Sequence, residues 1–197
     1  LIVQADALRV TQRQWANRAH TQGYVPDLPK IVHKTTATLQ KSIQKELLKV
    51  EKAIQELCES DPSLKTQIQL LCSVQCIGKR TATHLLAYGK TALTNYSAKA
   101  LVAHVGIAPK HRQSGSSVLG KSHLGKEGDK RLRCILYMPT LVGIGHNPIL
   151  REYYQRLLAR GKPKMVALIA CMKKLLLIIR AILIKQVPFN PAFQSMT

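Results

Sequence analysis

Acidic side chains are what this chain lacks most: from residue 62 to residue 126 there is no Asp or Glu at all. The same stretch carries nine Lys and Arg: Lys65, Lys79, Arg80, Lys90, Lys99, Lys110, Arg112, Lys121 and Lys126. An ordinary solvated surface mixes both signs, so a one-sign segment of this length is the footprint of a polyanion. The whole chain repeats the imbalance, with 30 Lys+Arg against 10 Asp+Glu and a net charge of +20 over 197 residues. Aromatic residues are also scarce, at 5% beside 46% apolar residues. That apolar content excludes a basic disordered tail. The shortage of rings speaks against modules that stack splayed bases on aromatic platforms. Cysteine is sparse and scattered: Cys58, Cys72, Cys76, Cys134 and Cys171 are odd in number and contain no Cys-x-x-Cys or finger-spaced His partner. This excludes a disulfide framework, disfavours structural zinc and fits a reducing compartment. Long apolar runs are missing as well. The longest candidate, Met165 to Ile184, is broken by Lys173, Lys174 and Arg180, which a membrane-spanning helix tolerates poorly.

What is present reads as helix. Residues 1–20 hold Gln, Arg and Ala with no breaker, and Gly23, Pro26 and Pro29 make 21–30 a turn. The chain opens on leucine in what reads as mid-helix, so it is expected to be a fragment whose N-terminal part is missing. From Thr35 a second helix places Leu39, Ile43, Leu47, Val50, Ile54 and Leu57 at heptad spacing, which suits either a dimer seam or packing within its own domain. Ser60-Asp-Pro-Ser63 ends it. A helical region 1–63 and a second domain 64–197 are therefore expected. In the second, Gln75-Cys-Ile-Gly78 separates two helices, the later one beginning Lys79-Arg-Thr-Ala82, in the manner of a helix-hairpin-helix. Such a device offers backbone N–H groups at a helix N-terminus to a phosphate and reads no sequence. The usual first glycine of the hairpin is Cys76 here, which would be strained if that position needs positive φ. Tyr96 to Gly106 reads as helix, 110–128 as a polar loop, Lys130 to Leu141 as helix strained by Pro139, and Asn147-Pro148 as a new helix start. Met165, Leu168, Ile169, Met172, Leu175, Leu176, Ile179, Ile182 and Leu183 form the buried stripe of a closing core helix over 165–186. No segment reads as a strand, and the expected class is all-α.

The loop Lys110-His-Arg-Gln-Ser-Gly-Ser-Ser117 is the place where chemistry could sit. A serine hydroxyl is a weak nucleophile that needs a base, a metal or a strong positive field. Lys110, Arg112, Lys121, Lys126, Lys130, Arg131 and Arg133 could supply the field around a phosphorus centre, and Glu127 and Asp129 are the carboxylates nearby in sequence. Residue types alone do not rank Ser114, Ser116 and Ser117, and a phosphate-binding loop without chemistry is the alternative. The histidines show no i, i+4 pairing and do not suggest a metal site.

The order of motifs resembles a known family. Ile77-Gly-Lys-Arg-Thr-Ala82, Val102-Ala-His-Val-Gly-Ile-Ala-Pro109 and Arg112-Gln-Ser-Gly115 are followed by Gly125-Lys-Glu-Gly-Asp-Lys-Arg-Leu-Arg133 and Asn147-Pro148. Tyr154-Gln-Arg-Leu157, Arg160-Gly-Lys162 and Cys171-Met-Lys-Lys-Leu-Leu176 complete the set. Together they resemble, over about residues 70–190, the C-terminal transposase domain of the IS110/IS116/IS902 insertion-sequence transposases. The resemblance implies a DNA transposase or recombinase fragment in which Ser114 is the nucleophile of strand cleavage and transfer. It implies nucleic-acid contacts at Lys79, Arg80, Lys110, Arg112, Lys121, Lys126, Lys130, Arg131 and Arg133. It also implies a preceding coiled coil and a RuvC-like nuclease domain, absent here, whose acids would hold Mg2+; no cofactor is expected in this chain, and it is expected to be inactive alone. DNA, a structured guide RNA and a second copy of the chain are the implied partners, with no membrane, in a bacterial cytoplasm near the nucleoid. The alternative function is a non-catalytic helix-hairpin-helix module that only grips nucleic-acid backbone.

Overall fold

The computed structural model describes residues 1–25, 27–114, 118–124 and 127–190, with the strand residues from 110 to 124 described by backbone alone. The chain divides into two compact units, Leu1–Lys65 and Thr66–Thr197.

Unit 1 holds α1 (Ile2–Gln22) and α2 (Lys30–Ser60), packed as an antiparallel pair. The partners fix the direction: Arg9 bridges to Glu51 at 2.7 Å, Gln12 meets Gln44, and the Gln40 amide donates to the Trp15 carbonyl at 3.1 Å. The α2 residues turned inward are Thr36, Gln40, Ile43, Leu47, Val50 and Ile54, all buried or half-buried. Their alternating four and three spacing is a heptad seam, and it lies against α1. Leu39 and Leu57, expected on this seam, are 37% and 53% exposed. Thr36 and Gln40 take the inward register instead, Thr36 buried and Gln40 donating to the Trp15 carbonyl of α1.

Unit 2 takes in the greater part of α3 (Pro62–Cys72), which starts in the last residues of unit 1 and whose first turn is capped by the Asp61 carboxylate accepting from the Ser63 and Leu64 amides. It continues through α4 (Lys79–Asn95), α5 (Ala98–Val105), the strands β1 (Pro109–Ser114) and β2 (Val118–Leu124), then α6 (Lys130–His146), α7 (Pro148–Ala159) and α8 (Lys164–Lys185). Caps are legible where they occur: Ser97 accepts from the Ala100 amide, Asp129 from Arg131 and Leu132, and Asn147 from Ile149 and Leu150. Helix α8 is the axis of this unit. It packs on α4, α5, α6 and α7 and buries Ala167, Leu168, Cys171, Met172, Leu175, Leu176, Ile179, Ile182 and Leu183. Met165, expected in that stripe, is 56% exposed in the first turn. No helix of the described residues is long and apolar enough to cross a membrane.

Three local expectations are revised. Residues 109–124 are not simply a loop: β1 and β2 pair antiparallel, with Pro109 opposite Leu124 and Ser114 opposite Val118. Neither strand alternates apolar and polar residues, so the period-2 signal that reveals a half-buried strand is absent. The hairpin is an appendage, and the fold remains all-α. Helix α6 runs through Pro139 to His146 rather than stopping near Leu141; the proline is buried in the unit, where packing outweighs one lost backbone hydrogen bond. Finally, Cys76 carries no left-handed strain, because Asp27 and Gln186 are the only non-glycine residues with positive φ among those described. Its buried thiol sits against Gly143, where an added Cβ would come within 3.1 Å of the sulfur. Burial pushes the Cys76 and Cys171 thiols up to about 11, so both are neutral core groups rather than thiolate ligands.

Candidate nucleic-acid interface

The start of α4 is built unlike the capped helices of the same unit. Its N-cap is Gly78, no side chain caps it, and its first turn contains no acid. The first bond back into the helix comes from the Ala82 amide to the Gly78 carbonyl at 3.0 Å. The amides of Lys79, Arg80 and Thr81 thus precede the ladder and point outward from the helix end. Lys79 and Arg80 are exposed. Two cations at the positive end of a helix dipole are each unfavourable by roughly 0.3–1 kcal/mol. An anion seated on those amides reverses the sign, because it meets the dipole and both side chains at once. Gly78 has open space around a hypothetical Cβ and an ordinary φ of −87°, so the fold itself does not demand glycine there.

The second feature is the clamp at the base of the β-hairpin. Gly106 ends α5 with φ 73°, and Gly128 precedes α6 with φ 103°. The two backbones are in direct contact. A Cβ on Gly106 would collide with the Glu127 carbonyl and the Arg133 guanidinium, and one on Gly128 would lie 2.7 Å from both the Gly106 nitrogen and the His104 oxygen. The Asp129 amide donates to the His104 carbonyl at 2.7 Å, and Arg133 Nη1 donates to the Val105 carbonyl at 3.1 Å. The end of α5 and the start of α6 are thereby locked together. The hairpin leaves and re-enters the unit through this buckle.

This geometry sorts the cations expected to touch nucleic acid. Lys79, Arg80, Lys130 and Arg131 are exposed. The Arg131 guanidinium stands 5.4 Å over the Tyr88 ring, tying α6 to α4. Arg133 is half-buried and turned inward onto the α5 carbonyls, where it braces the hairpin base. Lys110, Arg112 and Ser114 occupy register positions of the hairpin and Lys121 lies within β2, while Ser116, Ser117 and Lys126 lie outside the described residues. Asp129 accepts from the Arg131 amide at 2.7 Å and the Leu132 amide at 3.1 Å as the α6 cap, so its carboxylate has a structural role. Sequence reasoning missed the Gly106–Gly128 buckle and the inward turn of Arg133. The signal available was the glycine before each break; the pairing of the two is tertiary.

Comparison with known proteins bears on the same segment. Residues 68–155 match the model described as the Transposase IS116/IS110/IS902 family. This part of the chain belongs to that transposase family. The pilin gene-inverting protein of Moraxella lacunata is 35% identical over 145 residues, covering 73% of this chain and 45% of that protein. The insertion element IS110 43.6 kDa protein of Streptomyces coelicolor is 27% identical over 153 residues, 78% of this chain and 36% of that protein. The insertion element IS900 42 kDa protein of Mycobacterium paratuberculosis is 27% identical over 195 residues, 95% of this chain and 46% of that protein. The chain therefore spans about half the length, or less, of these relatives. The transposase-family segment contains the α4 start, the buckle and the hairpin, so every feature of the interface falls inside it.

Proposed function

We propose that this chain is the strand-transfer part of a DNA transposase, with Ser114 as the nucleophile. The observation that carries the reading is the clamped hairpin: Arg112, Gln113 and Ser114 stand at the far end of β1, inside the segment that matches the transposase family. In the proposed step the Ser114 hydroxyl loses its proton and its oxygen bonds to a backbone phosphorus. The departing deoxyribose oxygen leaves with a proton, and the strand is held as a phosphoserine ester until a new strand end displaces the serine. Lys110, Arg112, Lys121, Lys126 and Lys130 would stabilise the charge that accumulates on the phosphorane oxygens. The α4 start would hold a backbone phosphate and so position the duplex in the way a helix-hairpin-helix does.

The chain's own acids do not fit a metal site for this step. Asp129 is engaged as the α6 cap, and no three His, Cys, Asp or Glu side chains converge among the described residues. No step is therefore routed through a metal held by this chain, and proton removal from Ser114 is assigned to a group outside it. On this reading the isolated chain binds DNA but does not complete recombination with Mg2+.

The test is covalent capture. In the longer protein, Ser114→Ala abolishes the phosphoserine adduct on a labelled DNA substrate while leaving binding nearly unchanged, because one hydroxyl adds little to a many-phosphate contact. An adduct that survives Ser114→Ala but is lost in Ser116→Ala or Ser117→Ala moves the nucleophile to that serine. The second reading is a binding module without chemistry, favoured by the open, cationic α4 start alone. It prevails if the unsubstituted protein binds DNA and forms no adduct; an adduct that survives all three substitutions moves the nucleophile to another residue.

A further inference from the structure

Helices α7 and α8 contain the other anion-free part of the chain. Glu152 is the last acidic residue, and eight Lys and Arg follow it: Arg156, Arg160, Lys162, Lys164, Lys173, Lys174, Arg180 and Lys185. Nothing in the α4 start or the hairpin uses them. Arg180 has an internal role, since its Nε donates to the Tyr96 carbonyl at 2.9 Å. Two others converge on one ring. The Arg156 guanidinium carbon lies 5.4 Å from the Tyr153 centroid, and Lys174 Nζ lies 4.8 Å from the same centroid. Burial, and then the charge of Arg156, hold the Lys174 ammonium below its usual range, while Glu152 acts in the opposite direction. Like charges gathered at one ring are unfavourable in the free protein and become favourable when an anion joins them. Beside them, the turn between α7 and α8 exposes Arg160 and Lys162, and Lys164 is exposed as the first residue of α8.

We propose that Tyr153, Arg156 and Lys174, with the exposed cations Arg160, Lys162 and Lys164, form a second DNA contact that takes the phosphodiester backbone of a duplex. Duplex DNA is the occupant favoured by the chemistry. The one ring of the cluster already has two cations against it, so it offers no platform for an unstacked base. What remains is a set of point charges and guanidinium donors, which is the equipment of backbone contact. A transposase that joins two DNA segments also needs more than one grip on duplex. The assignment holds whichever serine is the nucleophile and whether or not α4 binds phosphate.

The test compares three variants of the full 197-residue chain by titrating a labelled duplex between 50 and 200 mM salt: Arg156→Gln with Lys174→Gln, the turn variant Arg160→Gln with Lys162→Gln and Lys164→Gln, and Lys79→Gln with Arg80→Gln. The first variant is expected to flatten the slope of log K against log salt by about 1.8, at roughly 0.9 for each of the two phosphates that it no longer neutralises. The turn variant flattens it further, and its exposed positions keep the test valid if the first variant fails to fold. The losses in affinity are expected to multiply with that of the α4 variant. Unchanged slope and affinity in both α7–α8 variants, with the α4 variant weakened, overturn the proposal. Weakening by the α7–α8 variants with no effect of the α4 variant supports it and overturns the α4 reading instead. A loss confined to a structured RNA of the same length, with duplex DNA unaffected, overturns the choice of duplex.

Discussion

At the scale of single residues, the glycines of the buckle are the positions where backbone conformation and tertiary contact make the same demand. Gly106 and Gly128 both have positive φ, and each faces the other element's backbone. A left-handed conformation costs an L residue roughly 1–2 kcal/mol before any collision is counted. Gly106→Ala and Gly128→Ala are therefore expected to lower the melting temperature of the chain by several degrees each, as ~1 kcal/mol moves a domain of this size by roughly 2–4 °C. Gly78→Ala, with open space and negative φ, should leave melting nearly unchanged and weaken DNA binding if α4 seats a phosphate. Equal melting of all three variants and wild type, followed by circular dichroism, would refute the buckle. The sequence shows three comparable glycines; only the contacts separate the one at the open start of α4 from the two that hold the hairpin.

At the scale of elements, the helices with one apolar stripe are the ones the sequence predicts best. Helix α8 follows its expected stripe with displacement only at the first turn, because a helix in the middle of the unit must bury a continuous face. Helix α2 follows its heptads over Ile43, Leu47, Val50 and Ile54 and departs at Leu39 and Leu57. Whether that seam meets α1 or a second chain was open from spacing alone, since the same heptad pattern serves both. In the structure it meets α1. Leu47→Lys should thus collapse the helical content of a 1–65 segment assayed within the whole chain, whereas Leu48→Lys, at a position 55% exposed, should leave it unchanged. Loss in the Leu48 variant equal to that in the Leu47 variant would contradict the packing. Helix α6 shows why inward faces cannot always be read. Tyr137, Met138, Leu141 and Val142 are exposed while Leu132, Leu136, Pro139 and Thr140 are buried, so apolar residues lie all round and no periodicity selects a face.

At the scale of the whole molecule, charge dominates. A chain with a net charge of +20 should lose affinity for DNA steeply with salt, by roughly 10³–10⁵ between 50 and 200 mM if six to ten phosphates are contacted. Fluorescence anisotropy at graded salt checks this, and a constant that hardly moves would mean that the cations are not the binding surface. The sequence by itself determined the excess of positive charge, the helical class, the core helix and the order of motifs that places residues 68–155 in a transposase family. It could do so because composition, periodicity and local motifs are properties of the chain before it folds. Only the tertiary structure decided that 109–124 is a hairpin, that Asp129 is a cap, that Arg133 turns inward and that Arg156 and Lys174 meet at Tyr153. Each of those depends on bringing together groups separated in sequence or on choosing one of several available partners, and the energy that makes the choice exists only once the helices have packed.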